Sequence, residues 1–557
     1  MNIRKYLKSG PSRLVFAALG VAAGLCLAAG TARAQTAASA AAPTAQDFLN
    51  AAKDSSNWLL PGKSYDNNRY ITASQITPAN VSGLKPAWTF KLSDDGPTET
   101  APIVFNGMMY VTSAHDHVYA LNAKTGKQVW EFADNPHVIA FAANRGVGLM
   151  DGNVYLGTLD GHLVALNAKT GKKVWDILAV HDPVNSFYTM APVPYHNPAT
   201  GQDMLLLGVA DGDWGGVGYI TAFDPKNGHR IWEWKTVPGP GEPGHSTWSG
   251  NSWKRGGASV WSGMAIDTKT QTLYLDLGNP QPDFLATVRK GINLYSDSMV
   301  ALDISGKAPK LKWYHQFIPS DTHDWDPAMP PVLFQGKVNG QSQSLVAAGD
   351  KAGNFWVLDA KTGKLVDHTV VSFQKGQHTA PSLTGNVACP NTNGGIEFNG
   401  AAYDPATNAF YVPSVNECGF WKSTQDAVYI GGQFYLGGVF PKFVGPNTGD
   451  FSAINISNGI FNWRKHFGLP MAGGSLVTST GLVFTGELNG KFDAFDAKTG
   501  KRAWQYDTGS PIIAPPAAYV EGGKEYVVVA SGEVGNQKVP ELTAPSHGTM
   551  ISAFALQ

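Results

Sequence analysis

The sequence predicts an all-β protein, an eight-bladed β-propeller of four-stranded antiparallel blades. Three observations predict it: a motif that recurs seven times, a second hairpin ahead of several copies, and half-motifs at the two ends of the chain. Composition agrees, because 63 Gly, 35 Pro and 11 % aromatic residues among 557 favour short strands joined by tight turns. Charged residues make up only 15 %, and 42 basic side chains nearly balance 43 acidic ones. Disorder, coiled coil and a basic nucleic-acid-binding surface are thereby excluded.

Residues 1–34 form a leader. Arg4, Lys5, Lys8 and Arg13 precede the apolar stretch LVFAALGVAAGLCLAAG, which runs into Ala32-Arg33-Ala34, the pattern of a signal peptide with an A-x-A cleavage site. The apolar stretch is short for a spanning helix, so no stable membrane anchor is expected. Cleavage leaves residues 35–557 as one propeller domain. It removes five basic residues and no acidic ones, taking the net charge to about −6. It also removes Cys26, and the remaining Cys389 and Cys418 are expected to pair in an oxidising compartment. A bridge closing 29 residues contributes about 3 kcal/mol on the loop-entropy model. There is no CxxCH, hence no site for covalent c-type haem.

The strong copies of the motif are VYALNAKTGKQVW, LVALNAKTGKKVW, ITAFDPKNGHRIW and FDAFDAKTGKRAW, ending at Trp130, Trp175, Trp232 and Trp504. Weaker copies are MVALDISGKAPKLKW, FWVLDAKTGKLV and FSAINISNGIFNW. Each reads as strand, glycine turn, strand, since the glycine supplies a left-handed position and the flanks alternate apolar and polar. Upstream hairpins such as NVYLGTLDGHLVAL complete four strands. Spacings of 45 residues from Trp130 to Trp175 and 41 from Trp463 to Trp504 match a propeller blade. LKPAWTFKL near the start reads as a last strand without its blade, and MISAFALQ at the end as a strand without its partner. Joined, they close the ring as an eighth blade. The alanine of each motif suits a close sheet contact and the tryptophan packs across to the next blade, so the chemistry belongs to the segments between motifs.

In those segments Asn279 and Asp326 offer an amide and a carboxylate oxygen, hard donors that suit Ca²⁺ better than Zn²⁺. The segments PTETAPIVFNGMMYV, NRGVGL, GGASVWSGMAID, LYLDLGNPQPDF, DTHDWD, AAGDKAGNFWVLD and GSPIIAPPAAY together resemble the pyrroloquinoline-quinone (PQQ) dependent alcohol dehydrogenases, the methanol and ethanol dehydrogenase type of quinoprotein. The resemblance runs from about Trp58 to the C-terminus. It implies a periplasmic enzyme that oxidises an alcohol with PQQ and Ca²⁺. It also implies a metal held by Asp213, Asn279 and Asp326, with Asp326 doubling as the base that takes the alcohol proton. Trp261 stands where the family stacks an indole under the quinone. Glu99, Arg145, Thr158 and Lys351 match cofactor contacts, and Asp211 and Gly212 lie in the glycine-rich segment beside the cofactor. Lacking a haem domain, the chain implies an external acceptor such as a soluble cytochrome c.

The sequence departs from the family in several places. Asp213 stands where the family usually has Glu, and Ala210 and Asp211 replace Ser and Gly. Ile139 and Ala140 replace two adjacent cysteines, leaving Ile139 or Phe141 to cover the quinone. Glu397 replaces a frequent Asn. Ala328 stands where lanthanide-using members carry Asp, which favours calcium. Cys389 and Cys418 match a structural disulfide of the family. Phe420 and Trp421 are candidates to line the substrate pocket, His323 and Asp324 are read as supporting residues, and the substrate is expected to be a bulky secondary alcohol or a polyol. Two other readings exist. A non-catalytic periplasmic propeller scaffold for protein assembly explains the blades but not the convergent site residues. A hydrolase using Asp213 and Asp326 as paired carboxylates lacks any sugar-binding pattern.

Overall fold

The computed structural model describes residues 42–133, 143–534 and 547–557. The leader and the readings at Ile139, Ala140 and Phe141 lie outside the described residues. Among the described residues, α-helix is confined to Ala45–Asn50, and no helix is long and apolar enough to cross a membrane. The rest is sheet and turn. Eight sheets, each built on an antiparallel run of four strands, give the architecture of a β-propeller.

Every copy of the motif supplies the third and fourth strands of its sheet. Val118–Asn122 pairs with Gln128–Phe132, His162–Asn167 with Lys173–Leu178, and Lys491–Asp496 with Arg502–Asp507. The preceding hairpin gives the first two strands, as with Gly148–Met150 and Asn153–Gly157. The fourth strand of each sheet is the exposed one. The first strand Ile103–Phe105 is buried throughout, whereas the fourth strand Lys310–Gln316 alternates exposed and part-buried residues. The chain ends share one sheet, in which Leu84–Lys91 pairs with Met550–Leu556 beside Lys524–Ser531.

Register explains why the motif repeats. Its alanine faces its tryptophan across the hairpin: Ala120 with Trp130, Ala222 with Trp232, Ala494 with Trp504, and, at the joined ends, Ala553 with Trp88. The small alanine leaves room for the indole, which reaches a backbone carbonyl in the next sheet. Trp88 donates to Ala123 O at 3.0 Å, Trp130 to Ala168 O at 2.9 Å and Trp504 to Leu84 O at 3.0 Å. The turn glycine is doubly required. Gly171 has φ +68°, and a Cβ there would stand 2.6 Å from the Trp130 ring. Replacing Gly171 by Ala is therefore expected to cost roughly 2–4 kcal/mol, the sum of a left-handed alanine and an overpacked contact. The urea midpoint measures it, and a change below about 1 kcal/mol would show that the turn relaxes freely.

One blade departs from the simple repeat. The strand that opens the weak copy FSAINISNGIFNW, Gly438–Asn455, pairs on its other side with Ala409–Ser423, and the outer half of that hairpin extends past the sheet as an arm. The disulfide Cys389–Cys418 ties this arm to strand Asn386–Ala388 on its other side.

Candidate active site

In an antiparallel pair, the start of the first strand and the end of the second lie at the same edge. Glu99, Arg145, Trp261 and Asp326 precede first strands, while Asp213, Asn279 and Lys351 follow second strands. Residues spread over some 250 positions are thus brought to one end of the sheets, a convergence set by topology alone.

There they line two cavities. The larger, about 460 Å³, has Glu99, Arg145, Asp213, Trp261, Asp324, Lys351 and Glu397 among its walls. The smaller, about 90 Å³, is lined by Gly212, Asp213, Ser259, Asn279, Asp324 and Asp326, and it shares Arg145, Trp261 and Lys351 with the larger. Arg145 pairs with Glu99 at 2.8 Å, and its guanidinium lies 4.8 Å from the Trp261 ring and 4.3 Å from the Phe398 ring. Lys351 Nζ bridges Asp324 at 3.0 Å and Asp326 at 2.7 Å. Trp261 Nε1 donates to Asp326 Oδ2 at 2.6 Å, so both carboxylate oxygens of this buried residue are held. Asn279 Nδ2 lies 3.4 Å from Asp213 Oδ1.

Five acids, Glu99, Asp213, Asp324, Asp326 and Glu397, face two cations across these walls. Burial raises the carboxyls of Asp213 and Asp324 above their ordinary range, and pushes Glu397 up to about 8. Burial also opposes charge on Lys351, but Asp324 and Asp326 outweigh it and hold the ammonium firmly protonated. The net excess of buried negative charge is what a divalent cation relieves.

Two residues read from the sequence are not brought to the cavities. The hydroxyl of Thr158 turns back into its own hairpin, bonding Asp160 at 2.5 Å and His162 O at 3.2 Å. Asp211 is fully buried with its carboxylate packed on Gly216, where a Cβ would stand 2.7 Å from Oδ2. Its neighbours Ala210 and Gly212 line the smaller cavity instead. The expected pocket residues need correction as well. Trp421 is wholly buried against Phe284, Trp325 and His323, and Phe420 packs over Gly385, so neither lines either of these two cavities. That position is taken by Phe434, Phe440 and Phe443 of the arm, which no repeat signal marks. Asp324, read as a support, contributes directly to both cavities. His323 points the other way, stacked on Trp325 at 4.0 Å, and burial lowers its pKa to about 3.

A family model described as PQQ: glucose/ethanol/alcohol dehydrogenase, beta-propeller domain, matches residues 58–372 and 447–527, more than half of the chain. The chain belongs to this family. The quinoprotein alcohol dehydrogenase PedH of Pseudomonas putida is 31 % identical over 540 residues, covering 88 % of this chain and 89 % of that protein. The lanthanide-dependent methanol dehydrogenase of Methylacidiphilum fumariolicum is 30 % identical, with coverage of 88 % and 87 %. Among solved structures, the quinohemoprotein alcohol dehydrogenase from Comamonas testosteroni has a TM-score of 0.84 at 28 % identity, over 93 % of this chain and 83 % of its own. A europium-containing methanol dehydrogenase has a TM-score of 0.83 at 28 % identity, over 92 % and 100 %.

The residues present fit the family's cofactor and metal. Arg145 and Lys351 supply cationic donors for an acidic quinone, and the Trp261 indole gives it a flat wall. Asp213, Asn279 and Asp326 turn hard oxygens to the smaller cavity. Gly212 keeps that cavity open, since a Cβ there would stand 3.0 Å from Ser259 Oγ and 3.7 Å from Asn279 Oδ1. Among the described residues no three His, Cys, Asp or Glu side chains group as a metal site. The set here is two carboxylates and an amide.

Proposed function

We propose that the chain is a periplasmic quinoprotein that oxidises an alcohol to the aldehyde or ketone, using PQQ and Ca²⁺. Electrons then pass to an external acceptor such as a soluble cytochrome c. The observation that carries this reading is the convergence of Asp213, Asn279 and Asp326 on one small cavity walled by Trp261, Arg145 and Lys351. The eight sheets are read as the eight blades of one closed propeller domain, residues 35–557, exported by the leader. The pairing of Leu84–Lys91 with Met550–Leu556 supports closure.

When bound, PQQ supplies the two-electron acceptor and the metal a Lewis acid. The protein's residues do the rest. Glu99 and Arg145 fix each other and present the guanidinium to the cavity. Trp261 orients Asp326 through Oδ2, and Oδ1, ion-paired with Lys351, takes the hydroxyl proton of the substrate. Lys351 stays charged beside it and steadies the carboxylate before proton transfer. The buried floor excludes water from that step.

Stripping the mature protein with chelator and restoring PQQ and Ca²⁺ separately tests the reading. Dye reduction with an alcohol panel is expected only when both are present. Failure of PQQ to bind at micromolar concentration would leave the propeller without this chemistry.

A further inference from the structure

The larger cavity is chemically divided. Its charged side chains lie on the floor, with Trp261. Among the described residues its outer wall is apolar, formed by Phe434, Phe440, Pro441, Phe443, Ile513 and Val534, with Thr392 and Asn393 as uncharged polar members. Phe434, Phe440 and Phe443 are 38 %, 44 % and 42 % exposed, an unusual state for three phenylalanines on one short stretch. Phe434 packs on Trp214 at 4.4 Å and on Phe440 at 4.9 Å, so the wall is a continuous aromatic surface.

The arm that bears this wall is fixed to the floor. Tyr435 N donates to Asp213 O at 2.6 Å, Phe284 N donates to Leu436 O at 2.7 Å, and the Cys389–Cys418 disulfide holds the arm's base. The arm falls in residues 373–446, the stretch between the two parts matched by the family model.

We infer that the arm makes this an enzyme for alcohols carrying an apolar body, aromatic or of several methylenes, rather than for methanol or polyols. The inference rests on the dehydrogenase reading above and narrows its substrate class. A hydroxyl seated beside Asp326 leaves the remainder of the substrate against Phe434, Phe440 and Phe443. There each buried methylene improves transition-state binding, whereas each additional hydroxyl must be dehydrated without a charged or amide-rich partner.

The test compares kcat/KM of the loaded enzyme for 1-alkanols from methanol to 1-octanol, 2-phenylethanol, glycerol and sorbitol. A rise approaching fourfold per methylene over the first several carbons is expected, with glycerol and sorbitol near the bottom. The double variant Phe440→Ser with Phe443→Ser should lower 1-hexanol at least tenfold more than ethanol. Saturation-transfer NMR on the unloaded protein gives a second readout: 1-hexanol methylenes receive magnetisation from the wild type and lose it in the double variant. Preference for methanol or polyols, or a chain-length profile unchanged by the double variant, overturns the inference while leaving the dehydrogenase intact. If no alcohol is oxidised yet the NMR contact persists and depends on the two phenylalanines, the apolar site stands and the dehydrogenase reading falls. Loss of both overturns both.

Discussion

Replacing Asp326 with Asn is expected to lower kcat by about 10²–10⁴, the usual contribution of a positioned general base. PQQ should remain bound, because Arg145 is paired with Glu99 rather than with Asp326, and the Trp261 and Lys351 side chains are still present. The geometry makes the effect larger than the loss of one charge. Asp326 is 1 % exposed, accepts a hydrogen bond from Trp261 Nε1 at 2.6 Å and is ion-paired with Lys351 Nζ at 2.7 Å. An asparagine can accept from only one, and its amide hydrogens must face the other. The variant therefore loses the proton acceptor and unlocks the Trp261 wall. Turnover by dye reduction, with bound quinone followed by absorbance, separates the two effects. Turnover within tenfold of wild type, with quinone retained, would remove Asp326 as the base.

Much of this site was legible because blade topology turns scattered segments into neighbours. Glu99, Arg145, Trp261, Asn279, Asp326 and Lys351 all flank buried strands whose register leaves little freedom in where the chain emerges. What could not be read was side-chain direction inside turns. Thr158 sits at the correct edge, yet its hairpin turn captures the hydroxyl. Asp211 lies two residues before Asp213, but Asp213 is in the left-handed region at φ +70°, and the alternation expected of extended chain fails there. Asp324 escapes alternation for the same reason, being itself in the left-handed region at φ +56°, so its meeting with Asp326 at Lys351 follows no period-2 rule. The arm carries no signal either, because Phe434, Phe440 and Phe443 lie between repeats and follow no period that marks them as a wall.

The joined ends set the second large effect. Phe554 is fully buried, with Phe492, Trp504 and Tyr506 at ring distances of 5.6, 5.3 and 5.0 Å. Replacing it with Ala is expected to cost about 3–5 kcal/mol through lost transfer free energy and an unfilled cavity. Phe495 is the matched control, since it follows Ala494 as Phe554 follows Ala553, and it is 1 % exposed. Phe495→Ala should cost a similar amount in urea unfolding. The two variants should differ in where protection is lost. Phe495 lies on Lys491–Asp496, held in its sheet by neighbours close in sequence on both sides. Phe554 lies on the strand that pairs Leu84–Lys91, a contact spanning almost the whole chain. Closing so long a loop is entropically costly, so the strand pair at the ends has the weaker local support. Hydrogen exchange in Phe554→Ala should therefore speed in Leu84–Lys91 and Met550–Leu556 together, while Phe495→Ala leaves both protected. Equal protection in the two variants would mean that the joined sheet is no more vulnerable than any other, and that the tryptophan contacts from Trp504 to Leu84 O and from Trp88 to Ala123 O suffice to hold it.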